Sequence, residues 1–305
     1  MKGYTVCLDP GHDSEFYNPS PVEREYFEGQ RMWALAQRLA EELEALGIRV
    51  VMTKQRVNQK VALVDRGKLS AGADLFVSLH SNAATTEKPD WVVVMHQVQQ
   101  PGNVDEKSLA FAKRIGSAVA EVMGVGCELA AVKSSKDRNG DGYLDDYYGV
   151  LRGAAQVGTP GVILEHGFHT NRKCTQWLLH DENLALLAKQ EAKVIQAWLA
   201  EEYSLVEFVM QVQGAIGAKI DGVAGKETLG KTPTVSRWKN RKHPVVGVIQ
   251  KRLAELGYTQ VGKADSVAGP KFECAVKAFQ EDHGCQPDGE ITGGKRTWKV
   301  FLGLQ

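Results

Sequence analysis

From residue 4 to residue 201, short apolar runs alternate with longer amphipathic stretches, and few folds accommodate that alternation. Residues 4–8, 48–52, 75–79, 91–95, 147–152 and 161–165 read as strands. Residues 28–46, 63–71, 109–123 and 183–201 read as helices. The first helix carries Met32, Leu35, Ala36, Leu39, Leu43 and Leu46 on one stripe, and Gly47 ends it. This rhythm predicts an α/β fold with a central, mostly parallel sheet covered by helices on both faces.

Near Ser204 the pattern changes. The remaining residues read as shorter helices punctuated by Gly and Asp, and they repeat. Residues 221–229 (DGVAGKETL) and 265–276 (DSVAGPKFECAV) share an Asp-x-x-x-Gly pattern, and 288–298 (DGEITGGKRTW) repeats it with one more residue before the Gly; a Thr or an aromatic follows each. Amphipathic runs at 248–258 and 275–284 feed the second and third copies. Repetition of this kind marks a unit built by duplication. The expected division is residues 1–203 and residues 205–305, the second a small, mainly α domain. Its Asp-Gly pairs would make turns, and Phe272, Phe279 and Trp298 would be core.

Composition excludes several classes. The 305 residues are 43% hydrophobic and 24% charged with zero formal net charge, so no bulk charge draws the chain to nucleic acid or to anionic membrane. No window reaches the roughly 18 apolar residues of a membrane span. The five cysteines are odd in number, widely spaced and without a CxxC pair, which reads as free thiols. Met1-Lys2-Gly3 leads straight into a strand, so the expectation is a chain without a signal peptide that accumulates in the cytoplasm.

The chemistry gathers where strands end. In an open α/β sheet, ligands collect at the carboxyl ends of the strands. The first strand runs into Asp9-Pro10-Gly11-His12, where Pro and Gly force a turn that presents His12. A second strand ends on His80, and a third, in GVILEHGFHTN (161–171), ends on Glu165. Glu28 opens the first long helix, where a carboxylate suits the helix dipole, and Glu23 and Glu25 are its rivals. Two imidazoles and one carboxylate make a zinc set with a position open to water. A carboxylate beside that water, such as Glu165, is placed to act as general base. Each residue also has an ordinary reading: a turn histidine, a buried histidine, a first-turn glutamate, a structural carboxylate.

The segments LDPGHDS, the helix from Glu28 with LGIRVVMTK, VDRGKLSAGADLFVSLHSNA and VLRGAAQVGTPGVILEHGFHTN stand in an order that resembles the zinc-dependent N-acetylmuramoyl-L-alanine amidases of cell-wall autolysins and phage endolysins. The resemblance covers about residues 1–200. It implies Zn2+ on His12, Glu28 and His80, with Glu165 as catalytic glutamate; Glu28 is preferred because it stands eight residues before Ala36, as in the family. It also implies cleavage between N-acetylmuramic acid and L-alanine of the stem peptide. Arg152, on the expected strand before Glu165, would contact a substrate carboxylate or orient Glu165. Two departures stand out. His166 and His169 fill positions that are usually apolar, as solvated loop histidines before substrate contacts or spare metal ligands, and DSEFYNPSPVERE replaces a Gly-rich stretch after His12.

Residues 205–305 resemble peptidoglycan-binding domains, with Ser266 in place of the usual Gly. The implied partner is therefore bacterial peptidoglycan, with no nucleic acid and no membrane insertion. The layout suggests a phage-type endolysin reaching the wall after release. The alternatives are a zinc peptidase acting within the stem peptide and a non-catalytic wall-binding protein. Residues 137–146 (DRNGDGYLDD) resemble a calcium loop through Asp137, Asn139, Asp141 and Gly142, but Tyr148 stands where the bidentate Glu belongs, so a polar surface loop is the competing reading.

Overall fold

In the computed structural model, which describes residues 3–98, 104–138, 140 and 142–304, the chain divides into two compact units, Met1–Leu199 and Ala200–Gln305. The first unit holds strands β1 (Thr5–Pro10), β2 (Arg49–Met52), β3 (Leu75–Asn82), β4 (Trp91–His96), β5 (Gly126–Ala130) and β6 (Gly161–Phe168). They form one sheet in the order β2-β1-β3-β6-β4-β5. Neighbours pair in parallel except β4 with β6, which run antiparallel.

Both faces of the sheet are buried, and side-chain alternation shows it. Val6, Leu8, Val77, Leu79, Val94 and Leu164 share one core. Helices α1 (Glu28–Ala45), α3 (Val104–Met123), α5 (Arg172–Leu179) and the first part of α6 (Asp181–Ile216) pack into that core. Cys7, Phe76, Val93, Met95 and Ile163 point the other way, against Val150, Leu151 and Ala154 of α4 (Gly149–Gln156). α2 (Leu63–Lys68) packs on α4. Strands buried on both sides read as continuous apolar runs, which is why they were legible.

Four expectations change. Residues 147–152 are not a strand: Val150, Leu151 and Ala154 are buried with the spacing of a helix turn, and the segment folds as α4. β3 and β6 continue past His80 and Glu165, to Asn82 and Phe168, so both residues lie within strands. β5 and α5 form where no regular element was expected. The helix from 183 does not stop at Glu201, because no Gly or Pro interrupts residues 181–213, and α6 runs to Ile216.

The second unit is helical: the later part of α6, then α7 (Lys226–Lys231), α8 (Val245–Glu255), a 3-10 turn (Thr259–Val261), α9 (Pro270–Asp282) and α10 (Arg296–Phe301). Its core includes Phe208, Val212, Ile249, Leu253 and Phe301, and Phe272, Phe279 and Trp298 lie in it as expected. Among the described residues, no helix is long and apolar enough to cross a membrane.

Candidate metal centre and active site

The Pro10-Gly11 turn is fixed from below. Asp9, fully buried, receives both a guanidinium Nε and an Nη2 of Arg66 at 2.7 Å, and hydroxyls of Thr53 (2.5 Å) and Ser78 (2.7 Å). Burial would raise its pKa, but Arg66 and these bonds hold it below the ordinary carboxylate value. The buried Lys54 donates to the carbonyls of Gly11 and His12. Burial, then the nearby Arg66, lowers the Lys54 pKa to about 8. Gly11 itself lies against the site: a Cβ there would stand 2.6 Å from His80 Cε1 and 2.9 Å from the Leu79 carbonyl oxygen. His12 follows at φ +62°, a left-handed conformation that costs a non-glycine residue about 1–2 kcal/mol.

That conformation turns the imidazole toward Glu28. His12 Nε2 lies 2.9 Å from Glu28 Oε2, and His80 Nδ1 lies 2.9 Å from Oε1. One potential ligand atom from each of His12, Glu28 and His80 lies within 4.8 Å of the others, a group able to hold a metal ion. Glu28 is 1% exposed and also accepts from Asn18 Nδ2 (2.7 Å) and the Ser81 amide (3.1 Å). Burial pushes its pKa up, yet the bonds and charges of His12 and His80 overcome this and drive it well below the usual range. The rivals lie elsewhere. Glu23 binds Arg172 and Gln176, each at 2.9 Å, and Glu25 is exposed.

Glu165 sits directly across the β3–β6 ladder from His80. Its carboxylate is buried, and Oε2 has no hydrogen-bond partner. Burial, reinforced by the charge of Glu28, raises its pKa well above the ordinary value. Arg152 lies on α4, not on a strand, and its Nη1 donates to the carbonyls of Asp146 (2.8 Å) and Tyr147 (3.3 Å).

Several contributors escaped the sequence reading. Tyr17 stacks on His12 at 4.4 Å between ring centroids, and Asn18 reaches Glu28 from the same loop. This loop is the DSEFYNPSPVERE segment that departs from the family pattern. Glu191 is buried against His166, and His166 and His169, which the sequence had singled out, are buried beside the same strand ends and not solvated in a loop. In the calcium-like stretch, Asn139 and Asp141 lie outside the described residues. The Asp137 carboxylate there accepts the amides of Gly140 (2.8 Å) and Gly142 (3.0 Å).

The second unit has its own recurring device. Gln213, Gln250 and Gln280 each donate through Nε2 to Oδ1 of a loop aspartate: Asp221 (2.9 Å), Asp265 (2.8 Å) and Asp288 (3.0 Å). Each Oε1 accepts the amide of the next loop residue: Gly222 (2.9 Å), Ser266 (2.8 Å) and Gly289 (2.9 Å). The signal was a Gln on the helix ahead of each loop, but the variable spacing hid it.

Residues 6–197 match the family model described as N-acetylmuramoyl-L-alanine amidase, and residues 242–300 match a model for a peptidoglycan binding domain. The catalytic domain of CwlV, an N-acetylmuramoyl-L-alanine amidase from Bacillus (Paenibacillus) polymyxa var. colistinus, is 21% identical with a TM-score of 0.52; the match covers 65% of this chain and 98% of that one. The N-acetylmuramoyl-L-alanine amidase from Clostridium difficile 630 is 22% identical with a TM-score of 0.53, covering 66% of this chain and 98% of that one. AmiC2 of Nostoc punctiforme is 20% identical with a TM-score of 0.51, covering 65% and 97%. At these identities the likeness speaks to the fold. The search of curated proteins found no match.

Proposed function

This chain belongs to the N-acetylmuramoyl-L-alanine amidase family, and from that premise we propose that it hydrolyses the amide between N-acetylmuramic acid and L-alanine of peptidoglycan, using zinc. The observation that carries the reading is the convergence of His12, Glu28 and His80 beside the buried Glu165, whose Oε2 has no hydrogen-bond partner. Two imidazoles and a carboxylate are a donor set that suits zinc and leaves a position for water or substrate. When bound there, the ion polarises the scissile carbonyl and lowers the pKa of water.

The chain's own residues do the proton work. Glu165, desolvated and facing the charge of Glu28, takes a proton from the attacking water and passes it to the leaving amine of L-alanine. Asp9, Arg66 and Lys54 hold the turn that aims His12. Arg152 commits Nη1 to backbone carbonyls; its other nitrogens would meet a substrate carboxylate or the developing oxyanion. Residues 205–305 would hold the enzyme on the insoluble wall and raise its effective concentration there. A hydrolase unit joined to a wall-binding unit supports a phage-type endolysin.

The test uses purified peptidoglycan and the full chain as isolated, after chelation, and after zinc is restored. New amino termini are labelled and identified. New N-terminal L-alanine, lost with chelator and regained with zinc, is expected. Termini at other residues would mean a peptidase of the stem peptide, and no termini would mean a wall-binding protein.

A further inference from the structure

We infer that His166 and His169 are positioning residues for the metal-binding set, each holding a backbone carbonyl of the strand that carries His80. The inference rests on the zinc reading above. It begins with a defect in the ladder. Between its last two pairings with β6, β3 advances from His80 to Asn82 while β6 advances from Glu165 to Phe168. A bulge of this kind interrupts the regular ladder and lets the chain re-aim a side chain. Here the extra residue is on β6, at His166 and Gly167, opposite Ser81, whose amide binds Glu28.

The side chains of His166 on β6 and of His169 just beyond it reach the carbonyls beside this irregularity. His166 Nδ1 lies 3.0 Å from the His80 carbonyl oxygen. A carbonyl only accepts, so Nδ1 carries the hydrogen. The opposite nitrogen, Nε2, lies 3.0 Å from Oε1 of Glu191 on α6. Both side chains are fully buried, so the ring is fixed at both nitrogens. One step further on, His169 Nδ1 donates to the Ser81 carbonyl oxygen at 2.9 Å and lies 3.1 Å from Ser81 Oγ. The Tyr26 hydroxyl donates to Ser81 Oγ at 2.7 Å, and the Tyr26 ring stacks with His169.

Consecutive carbonyls are therefore held by consecutive imidazoles. Fixing those two peptide planes sets where the His80 ring emerges and where the Ser81 amide points, which is at Glu28 Oε1. Two of the three candidate ligands are thus oriented through this pair. An apolar residue at 166 or 169 would remove a side-chain donor from the His80 or the Ser81 carbonyl.

A pair of variants separates positioning from mere filling. His166→Asn places an amide donor near the position of Nδ1 and gives up Glu191. His166→Gln reaches toward Nε2, keeps Glu191 and gives up the His80 carbonyl. Zinc affinity of the full chain is measured by chelator competition, and stability by thermal unfolding. His166→Asn should stay near wild-type affinity, and His166→Gln should lose about tenfold or more. Equal affinities, or the reverse order, would overturn the inference. A buried control, Leu184→Ala, should lower stability without moving zinc affinity. If His166→Gln does not fold, His169→Asn against His169→Leu asks the same question at Ser81, with Asn expected to bind more tightly. Wild-type protein that binds no zinc would instead overturn the zinc reading itself, before any variant is compared.

Discussion

The strand ends of the first unit and the loops of the second both rely on buried or half-buried polar side chains, but they finish them differently. In the second unit every clamp closes. The Gln280 amide donates to Asp288, to the Glu290 carbonyl and to Thr297, and accepts from Gly289. Gln213 and Gln250 repeat the scheme. At the strand ends Asp9 is closed in the same manner, yet Glu165 keeps an oxygen with no partner. A satisfied polar network rigidifies a fold. A buried carboxylate left open costs stability and is retained where chemistry uses it. The contrast sets the open Glu165 carboxylate apart from the closed glutamine clamps.

The largest effect should come from closing the open group. Glu165→Gln should lower amide hydrolysis of peptidoglycan by about 10²–10⁴-fold, because it removes the proton acceptor. It should leave zinc affinity near wild type. Its stability should move the other way. Glu165 has a folded pKa above the ordinary carboxylate value, so the folded state binds its proton more tightly than the unfolded chain does. Stability of metal-free wild type should therefore fall as pH rises from about 4.5 through the folded pKa. Glu165→Gln should lack that fall, and thermal unfolding across pH would read it. An active variant, or one that loses stability, would erase the distinction between open and closed groups.

Much of this contrast was legible in the sequence, and the reasons are physical. Strands buried on both faces are apolar without interruption, so β1, β3 and β6 announced themselves, and His12, His80 and Glu165 lay where those runs stopped. Among the short elements β2 and α2 were legible, but α4, α5 and β5 were not. The run read as a strand, Tyr147-Tyr148-Gly149-Val150-Leu151-Arg152, is short and starts with two aromatics, and the helix Gly149–Gln156 shows itself in its packing against α2. The supporting residues were hidden for a different reason. Glu191 lies 25 residues from His166, and Arg66 lies 57 from Asp9, so only the fold brings them together. Within the clamps, the glutamines precede their aspartates by 8, 15 and 8 residues, and the longer middle copy breaks the period that would have exposed them.

An intermediate effect should follow from opening a closed clamp. Gln280 is buried, and its removal strands the Gly289 amide and the Glu290 carbonyl. Gln280→Ala should cost about 2–3 kcal/mol, the scale of leaving buried polar groups unmet. Denaturant unfolding of the full chain would read this as an earlier transition. Hydrolysis of a soluble muropeptide, which needs only the first unit, should be unchanged at temperatures where the protein stays folded. Lost turnover on the soluble fragment would mean that the second unit does more than bind and fold.

The smallest effect should come from repairing a clamp, and its sign is the informative part. Gly222 and Gly289 take up φ of +74° and +76°, and the residue at the equivalent place in the middle copy is Ser266, at +59°. A side chain there costs about 1–2 kcal/mol. Ser266→Gly relieves that strain but frees the unfolded chain, which takes back about 0.4–1 kcal/mol. Ser266 is exposed, so no cavity opens. The net expectation is a gain of about 0.5–1 kcal/mol, or a few degrees in the unfolding midpoint for a unit of about 100 residues. A stability loss would show that the middle loop is not equivalent to the other two. It would also direct attention to the Ser266 hydroxyl, which lies against Gly247 of α8 where a Cβ would stand only 2.4 Å away. A gain would mean that the three loops obey one rule, and that the departure at 266 is tolerated because the Gln250–Asp265 bonds hold the turn regardless.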